Sequence, residues 1–521
     1  MTPESLSSQP KLQRSSSDKI VLFNRLVEIS EHARTAGKRV IHCHGVFDLM
    51  HPGHILHFKA AKKHGDFLMV TVTPDRFAKK APGRPVFNQW LRMETIASLE
   101  CVDAVALNLW PTAEETIRQL RPHAYVKGSD YAHPAADLTG NIQDEVTAVK
   151  EAGGEVVFTD EEVFSSSHLI NRYFRTQPPE AEAFLENFRQ RHSSDEVIGY
   201  LNQLKDLRVV VVGEAIHDVY CYSIPLAKPP KETIVAARFD TEESFAGGSM
   251  AVANHLAGFC REVTLVTYLG PDEVQARLLM EKLRPNVRLC AVRTQDRSTV
   301  LKRRFLEPNF LNKMFEIQYL NDRPLAAEDE RVALEYLGHA VPDADLVVVT
   351  DFGHGMMTPK LRDSLRDFKK FMALNVQTNS ANLGYNPVTR YRDAGYVCID
   401  EPELRLAARS RYEEIPSVVA AVRRFLQARH FMVSLGPQGT LFFAEDGQAY
   451  KTPVFSSRIV DRTGAGDALF AVTAPCLYQG CPPDVLGLIA NCVGAIAVEI
   501  VCNREPVDPV VLKKFITYLL K

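Results

Sequence analysis

The sequence predicts a two-domain protein of the α/β class. At 521 residues the chain is longer than one hydrophobic core usually serves. Short apolar runs of strand length alternate with helical stretches along the chain, as expected for parallel strands joined by crossover helices. Two glycine-containing turns, HGVFDLMHPGH and DRTGAGDALF, each stand where the chain enters a helical stretch, and they lie in different halves.

The elements follow in order. Residues 1–17 are Ser-rich and polar and are expected to form a disordered tail. Leu22, Leu26, Ile29 and Ala33 recur at helical spacing and predict a helix over 20–36 that stops at Gly37. RVIHCHGVF predicts a strand running into a turn, DFLMVTVTPD a second strand, and HILHFKAAKKHG the helix between them. DAVALNL, AYVKGSD and GGEVVFT supply three more strand-like segments. Residues 18–176 therefore read as one Rossmann-like domain. Residues 177–206 begin with Pro178-Pro179, are charged and helical in pattern, and are expected to be a linker. LRVVVVGEAIHD opens a second α/β domain over 207–521, continued by LVVVTDFGHG and HFMVSLGPQGT.

Bulk composition excludes several classes. Hydrophobic residues make up 45%, charged residues 24%, and the formal net charge is -3, so neither nucleic acid nor an anionic membrane is an expected partner. The 10 cysteines form no CxxC pair, which fits a reducing compartment better than a zinc or disulfide framework. The N-terminal stretch has no apolar signal core, and no run of apolar residues is long enough to span a bilayer. A cytoplasmic protein is expected.

In HGVFDLMHPGH, His51 and His54 flank Pro52-Gly53 at the entry to a helix. A helix N-terminus offers unpaired N–H groups and a positive dipole end to phosphate. Two imidazoles there can donate to a triphosphate and to charge that develops during transfer. Gly45 and Gly53 let the backbone approach a nucleotide. The alternative is that His42, His44, His51, His54 and His57 are polar surface or a metal cluster, although no carboxylate pattern accompanies them.

This segment resembles the nucleotidyltransferase superfamily that includes glycerol-3-phosphate cytidylyltransferase and ADP-heptose synthase. The likeness continues through GRPVFNQWLRMETIASLECVDAV, YVKGSDY, AGGEVVF and FSSSHLIN. It implies that His51 and His54 bind and stabilise the reacting phosphates, with Gly45 and Phe47 beside the nucleotide. Lys79 or Lys80 would meet the α-phosphate or the incoming sugar phosphate, and Arg92 would steady the nucleotide. Ser165, Ser166 and Ser167 would hold the leaving phosphates, and Lys127 and Asp130 would face the substrate. The implied reaction is attack of a phosphate oxygen on the α-phosphorus of ATP or CTP, releasing pyrophosphate, with Mg²⁺ neutralising charge.

In DRTGAGDALF a Gly-Ala-Gly turn leads into a helix and presents N–H groups to an anion, with Asp467 placed to take a proton from a hydroxyl. No GxxxxGK[ST] occurs, and the DFG at Asp351-Phe352-Gly353 lacks the other protein-kinase elements. FAGGSMAVANHLAGF, SLGPQGT and ANCVGAIAVE accompany the turn in an order that resembles the ribokinase/PfkB family of sugar kinases, from about Leu207 onward. The resemblance implies Asp467 as base and Gly464, Ala465 and Gly466 as anion hole. It places Asp218, Gly247 and Gly248 at the sugar, Gly436, Gly439 and Asn491 around ATP, and Glu403 at Mg²⁺. Lys302, in Lys302-Arg303-Arg304 after Arg297-Ser298-Thr299, stands in the substrate-facing segment, where basic groups suit a second phosphate.

Together the halves resemble the bifunctional heptose kinase/ADP-heptose synthases in reversed domain order. The implied protein is a sugar kinase and sugar-phosphate nucleotidyltransferase that makes an ADP-heptose-like product and forms a homo-oligomer, a dimer. Three residues depart from the kinase pattern: Glu214 for Asp, Ala251 for a sugar-binding Asn, and Asp400 for the Asn of NxxE. They leave open a cytidylyltransferase for a polyol or sugar phosphate whose C-terminal domain is non-catalytic or acts on another sugar.

Overall fold

The structure, a computed structural model, describes residues 18–78, 84–128, 141–159, 178–227, 234–455 and 458–521. The tail 1–17 lies outside the described residues. The chain divides into two compact units, the first up to Thr176 and the second from Gln177 to Leu520.

The first unit is built on a five-stranded sheet of β1 (Val40–Gly45), β2 (Phe67–Val72), β3 (Ala104–Leu107), β4 (Ala124–Gly128) and β5 (Glu155–Thr159), in the order β3-β2-β1-β4-β5. Every pairing is parallel. Each expected strand is present, and the crossover helix between β1 and β2 spans Pro52–Lys62. The N-terminal helix runs Phe23–Thr35, with Leu26 and Ala33 buried against Val40 and Met69. Ile41, Val70, Phe58 and Met93 form the core on the sheet's other layer.

The second unit holds two sheets. The larger contains β6 (Arg208–Gly213), β9 (Glu262–Leu269), β10 (Val287–Arg293), β13 (Leu346–Asp351), β14 (Phe371–Val376), β15 (Tyr396–Asp400), β16 (His430–Ser434), β17 (Thr440–Phe443) and β18 (Ala449–Thr452). Its order is β10-β9-β6-β13-β14-β15-β16-β17-β18, parallel as far as β16 and antiparallel beyond. Val210, Val212, Val347, Val349 and Leu374 make these strands apolar on both faces, as a sheet covered by helices requires. The smaller sheet has the order β12-β11-β7-β8, from β7 (Ala215–Pro225), β8 (Ala237–Gly248), β11 (Val300–Leu306) and β12 (Lys313–Tyr319). The α/β class is as expected.

The segment expected as a linker forms helices Pro179–Arg189 and Ser194–Gln203, and these belong to the second unit. Ala181, Leu185, Phe188, Val197 and Leu201 bury an apolar stripe that a free connector would expose. Arg189 donates to the Leu519 carbonyl at 2.6 Å, and His192 meets Asp484 at 2.9 Å. No described helix is long and apolar enough to cross a membrane.

Candidate active sites

Each motif stands at the C-terminal ends of parallel strands, near the point where strand order reverses. In the first unit β1 is that point. His44 and Gly45 end β1, and Lys127 and Gly128 end β4 beside it. His51 is the N-cap of helix Pro52–Lys62, and its Nδ1 accepts from the Gly53 N–H at 3.2 Å. That bond makes Nε2 the donor atom of the neutral ring. The His54 ring lies against His51 with centroids 3.9 Å apart, and Phe47 meets His54 edge-on at 5.6 Å. The two histidines are thus a packed pair at a helix start.

The other histidines have a different place. His42 Nε2 and His44 Nδ1 meet the Thr71 hydroxyl at 2.8 and 2.9 Å, and His57 Nδ1 meets that of Thr159 at 3.0 Å. Burial, then the Lys127 charge, push His42 down to about 3, His57 down to about 4 and His44 well below the usual range. These imidazoles are neutral. Among the described residues no group of three or more His, Cys, Asp or Glu could hold a metal ion.

Arg92 lies behind the turn that follows β1. Its buried guanidinium donates to the carbonyls of Phe87, Val46 and Thr73 at 3.0, 2.5 and 2.9 Å and to Asp75 Oδ1 at 2.6 Å. Those bonds tie the turn after β1 to the turn after β2 and engage most of the guanidinium fork. Lys127 pairs with buried Glu145 at 2.8 Å. Lys79, Lys80, Asp130, Ser165, Ser166 and Ser167 lie outside the described residues.

In the second unit the predicted residues other than Gly247 line one cavity of about 920 Å³. Gly464 has φ 84°, a left-handed conformation that glycine adopts without strain, and it caps helix Ala465–Tyr478. Gly466 and Asp467 follow in the first turn and line the cavity. Asp467 is buried, and its Oδ1 accepts from Gln377 Nε2 at 2.7 Å. Burial pushes its carboxyl up to about 7 despite that bond and the nearby Lys302. Such a value suits a general base near neutral pH.

Opposite stand Asp218 and Lys302, in register on β7 and β11. Asp218 Oδ1 accepts from Arg304 Nη1 at 2.5 Å, and Arg304 Nε meets Glu316 at 2.6 Å. A Cβ on Gly247 would fall 1.9 Å from Asp218 Oδ2, so only glycine gives this carboxylate its place. Lys302 lines the cavity with no ion pair among the described residues, and burial lowers its pKa. Arg303 pairs with Glu242 at 3.2 Å and Arg297 donates to the Arg323 carbonyl at 2.7 Å, so Lys302 alone of this basic stretch offers an uncommitted charge.

Gly436 and Gly439 flank a short 3₁₀ turn on the cavity wall. Asn491 lines the same wall and donates to Thr440 Oγ1 at 2.8 Å. Glu403 lies at the corner where Asp400 caps helix Glu401–Ala408 in a reciprocal capping box. Burial, then the Asp400 charge, push Glu403 up to about 8. Glu403 Oε1 accepts from the Thr378 N–H at 3.0 Å and its Oε2 from the Asp400 N–H at 3.1 Å, so the fold holds the carboxylate at the edge of the cavity.

The departures now have positions. Glu214 is fully buried and accepts from the N–H groups of Phe352, His354 and Met356 at 2.9, 3.1 and 3.2 Å. It ties down the DFGHGM loop. Asp351 of the DFG likewise accepts from the Tyr391 hydroxyl at 2.6 Å. Ala251 is buried in helix Ser249–Ala257. Sequence reasoning missed Gln377, whose only signal is a polar side chain just past an apolar parallel strand.

Residues 206–505 match the family model for pfkB family carbohydrate kinases. The chain belongs to that family. Residues 42–172 match the cytidylyltransferase-like model. The bifunctional protein HldE of Methylococcus capsulatus is 36% identical over 174 residues, 33% of this chain and 35% of that protein. HldE of Rhodopseudomonas palustris is 25% identical over 298 residues, 56% of this chain and 60% of that protein. Matches to the curated relatives span 30% to 62% of their length. Arabidopsis thaliana ribokinase, solved with ribose and ATP, aligns over 61% of this chain and 99% of its own, at 20% identity and TM-score 0.47.

Proposed function

We propose that the chain is a bifunctional sugar kinase and sugar-phosphate nucleotidyltransferase producing a nucleotide-activated sugar of the ADP-heptose kind. The observation that carries the kinase half is Asp467, directly after Gly464-Ala465-Gly466, bonded to Gln377 and facing a cavity that also holds Asp218 and Lys302. Asp467 takes the proton of a sugar hydroxyl as that oxygen bonds to the γ-phosphorus of ATP and the bond to ADP breaks. The glycine turn receives the transferring phosphate through its N–H groups. Asp218, held on one oxygen by Arg304, offers the other to a sugar hydroxyl, and Lys302 meets a phosphate elsewhere on the sugar. Glu403 would help hold Mg²⁺, which when bound would neutralise phosphate charge.

In the first unit the nucleophile is a sugar-phosphate oxygen that is already ionised, so no general base is needed. His51 and His54 donate to the triphosphate at the helix start while the sugar-phosphate oxygen bonds to the α-phosphorus and the bond to pyrophosphate breaks. Lys80, Lys127, Asp130 and Ser165 to Ser167 complete this site by resemblance to the nucleotidyltransferases. The bifunctional relatives support one chain with both activities. A cytoplasmic location belongs to this reading. So does a homodimer, supported by Phe239, Phe315, Ile317 and Tyr319 left exposed on the edge strands of the small sheet.

Mass spectrometry of products from a sugar-phosphate panel incubated with ATP or CTP tests the reading. The expected products are a phosphorylated sugar phosphate and a nucleotidyl sugar, the latter with ATP. Nucleotidyl transfer from CTP to a polyol phosphate, without phosphorylation of any sugar, would favour a cytidylyltransferase with a non-catalytic second domain.

A further inference from the structure

The small sheet of the second unit and the turn that carries Asp467 are joined at one carboxylate. Asp461 is buried and stands shortly before Gly464. Its Oδ2 accepts from the Tyr220 hydroxyl at 2.6 Å and the Cys502 N–H at 3.0 Å. Its Oδ1 accepts from the Thr463 N–H at 3.0 Å and from Lys313 Nζ at 2.8 Å. Lys313 also donates to Thr463 Oγ1 at 2.5 Å, so one ammonium holds both residues that flank Arg462.

These donors differ in how firmly they are fixed. Tyr220 and Cys502 are buried. Lys313 is the first residue of edge strand β12, and its side chain is 37% exposed against 5% for Asp461. Strand β12 pairs with β11, which carries Lys302 and Arg304 into the sugar side of the cavity. The small sheet thus contributes sugar-side residues at one end and grips the anion turn at another. A second tie joins the same regions: Arg504 meets Glu243 on β8 at 2.5 Å, and the neighbouring Asn503 packs where a Cβ on Gly464 would fall 2.1 Å from its Oδ1.

We propose that Lys313 is a positioning residue that latches the small sheet to the Asp461–Thr463 turn, so that the Gly464–Gly466 anion hole is ordered when the sheet is seated on the cavity. Without the ammonium, Asp461 loses its cationic partner and Thr463 its side-chain anchor, and the turn that aims the N–H groups is freed while Asp467 stays on its helix. The identity of the anion rests on the kinase reading; the latch does not.

The test is amide hydrogen exchange by mass spectrometry on the full chain, comparing wild type, Lys313→Met and Lys313→Arg. Lys313→Met should speed exchange across residues 461–467 by about tenfold, with the core strands of the large sheet unchanged. Lys313→Arg should restore protection. For a sugar phosphate the wild type phosphorylates, Lys313→Met should lower kcat about tenfold with KM changed by less than about threefold. Unchanged exchange in the Met variant overturns the latch. Equal loss in Met and Arg variants, or faster exchange throughout the unit, also overturns it, because packing and not charge would then be at work. A chain that phosphorylates no sugar but gives the localised, Arg-rescued response keeps the latch and removes the kinase reading.

Discussion

The two candidate sites manage charge in opposite ways. The first unit places the His51–His54 pair at a helix start, and behind it burial and then the Lys127 charge push three further imidazoles down, His42 to about 3, His57 to about 4 and His44 well below its usual range. The second gathers carboxylates and pushes them up, Asp467 to about 7 and Glu403 to about 8. On the proposed reading the difference follows from the nucleophile. A sugar phosphate arrives ionised and needs donors for the triphosphate, whereas a sugar hydroxyl must lose a proton and needs a base. The contrast can be broken one residue at a time.

The largest expected effect is Asp467→Asn, which should cut kinase turnover by about 10²–10⁴-fold and leave nucleotidyl transfer near normal. Assays of both activities on the one variant check this, and unchanged phosphorylation would remove Asp467 as base. The same variant has a stability signature. The fold raises the Asp467 pKa, so it favours the protonated form; that stabilisation is complete at low pH and lost as pH rises through about 7. Asn keeps the neutral shape and the Gln377 bond. Its melting temperature should therefore exceed wild type most at about pH 8, by less at about pH 5, and converge with it only as pH falls below about 4.

Next is His54→Ala, expected to lower pyrophosphate release by about 10²–10³-fold while sparing the kinase. Metal analysis runs beside it. Stoichiometric zinc in the wild type, lost together with stability in the variant, would replace the phosphate-binding reading with a structural metal site.

Lys302→Ala should act more mildly, raising KM for a sugar phosphate about tenfold with a smaller change in kcat. Competition between sugars with and without a terminal phosphate measures it. Equal kcat/KM for the two in the wild type would leave Lys302 without a phosphate to meet.

Much of this was legible in the sequence because it is local. The strands of the first unit announce themselves as apolar runs, and the HPGH and GAGD turns are contiguous, so their residues share a helix start whatever surrounds them. Asp218, Lys302 and Asp467 lie far apart in the chain, and only the resemblance gathered them; the cavity brings them to one place. What the sequence hid is pairing. Arg92 looks like a ligand-binding arginine until its guanidinium is found occupied by Val46, Thr73, Phe87 and Asp75. Gln377 is unremarkable just past its strand until Asp467 arrives opposite it. The helices of 177–206 look like a connector because their apolar stripe is visible in sequence but the helix Pro509–Leu520 that it packs against, at the far end of the chain, is not.

The contrast between the sites is tested most directly by measuring the pH dependence of kcat/KM for both reactions on the same preparation. Phosphorylation should fall tenfold per pH unit below about 7 through one group, and Asp467→Glu should move that limb. Nucleotidyl transfer should follow only the ionisation of the substrate phosphate, near about 6, and should not respond to any change at Asp467. A kinase rate that stays flat from about pH 5.5 to about 8, or a limb that both reactions share and that moves together in the Asp467 variant, would contradict the account.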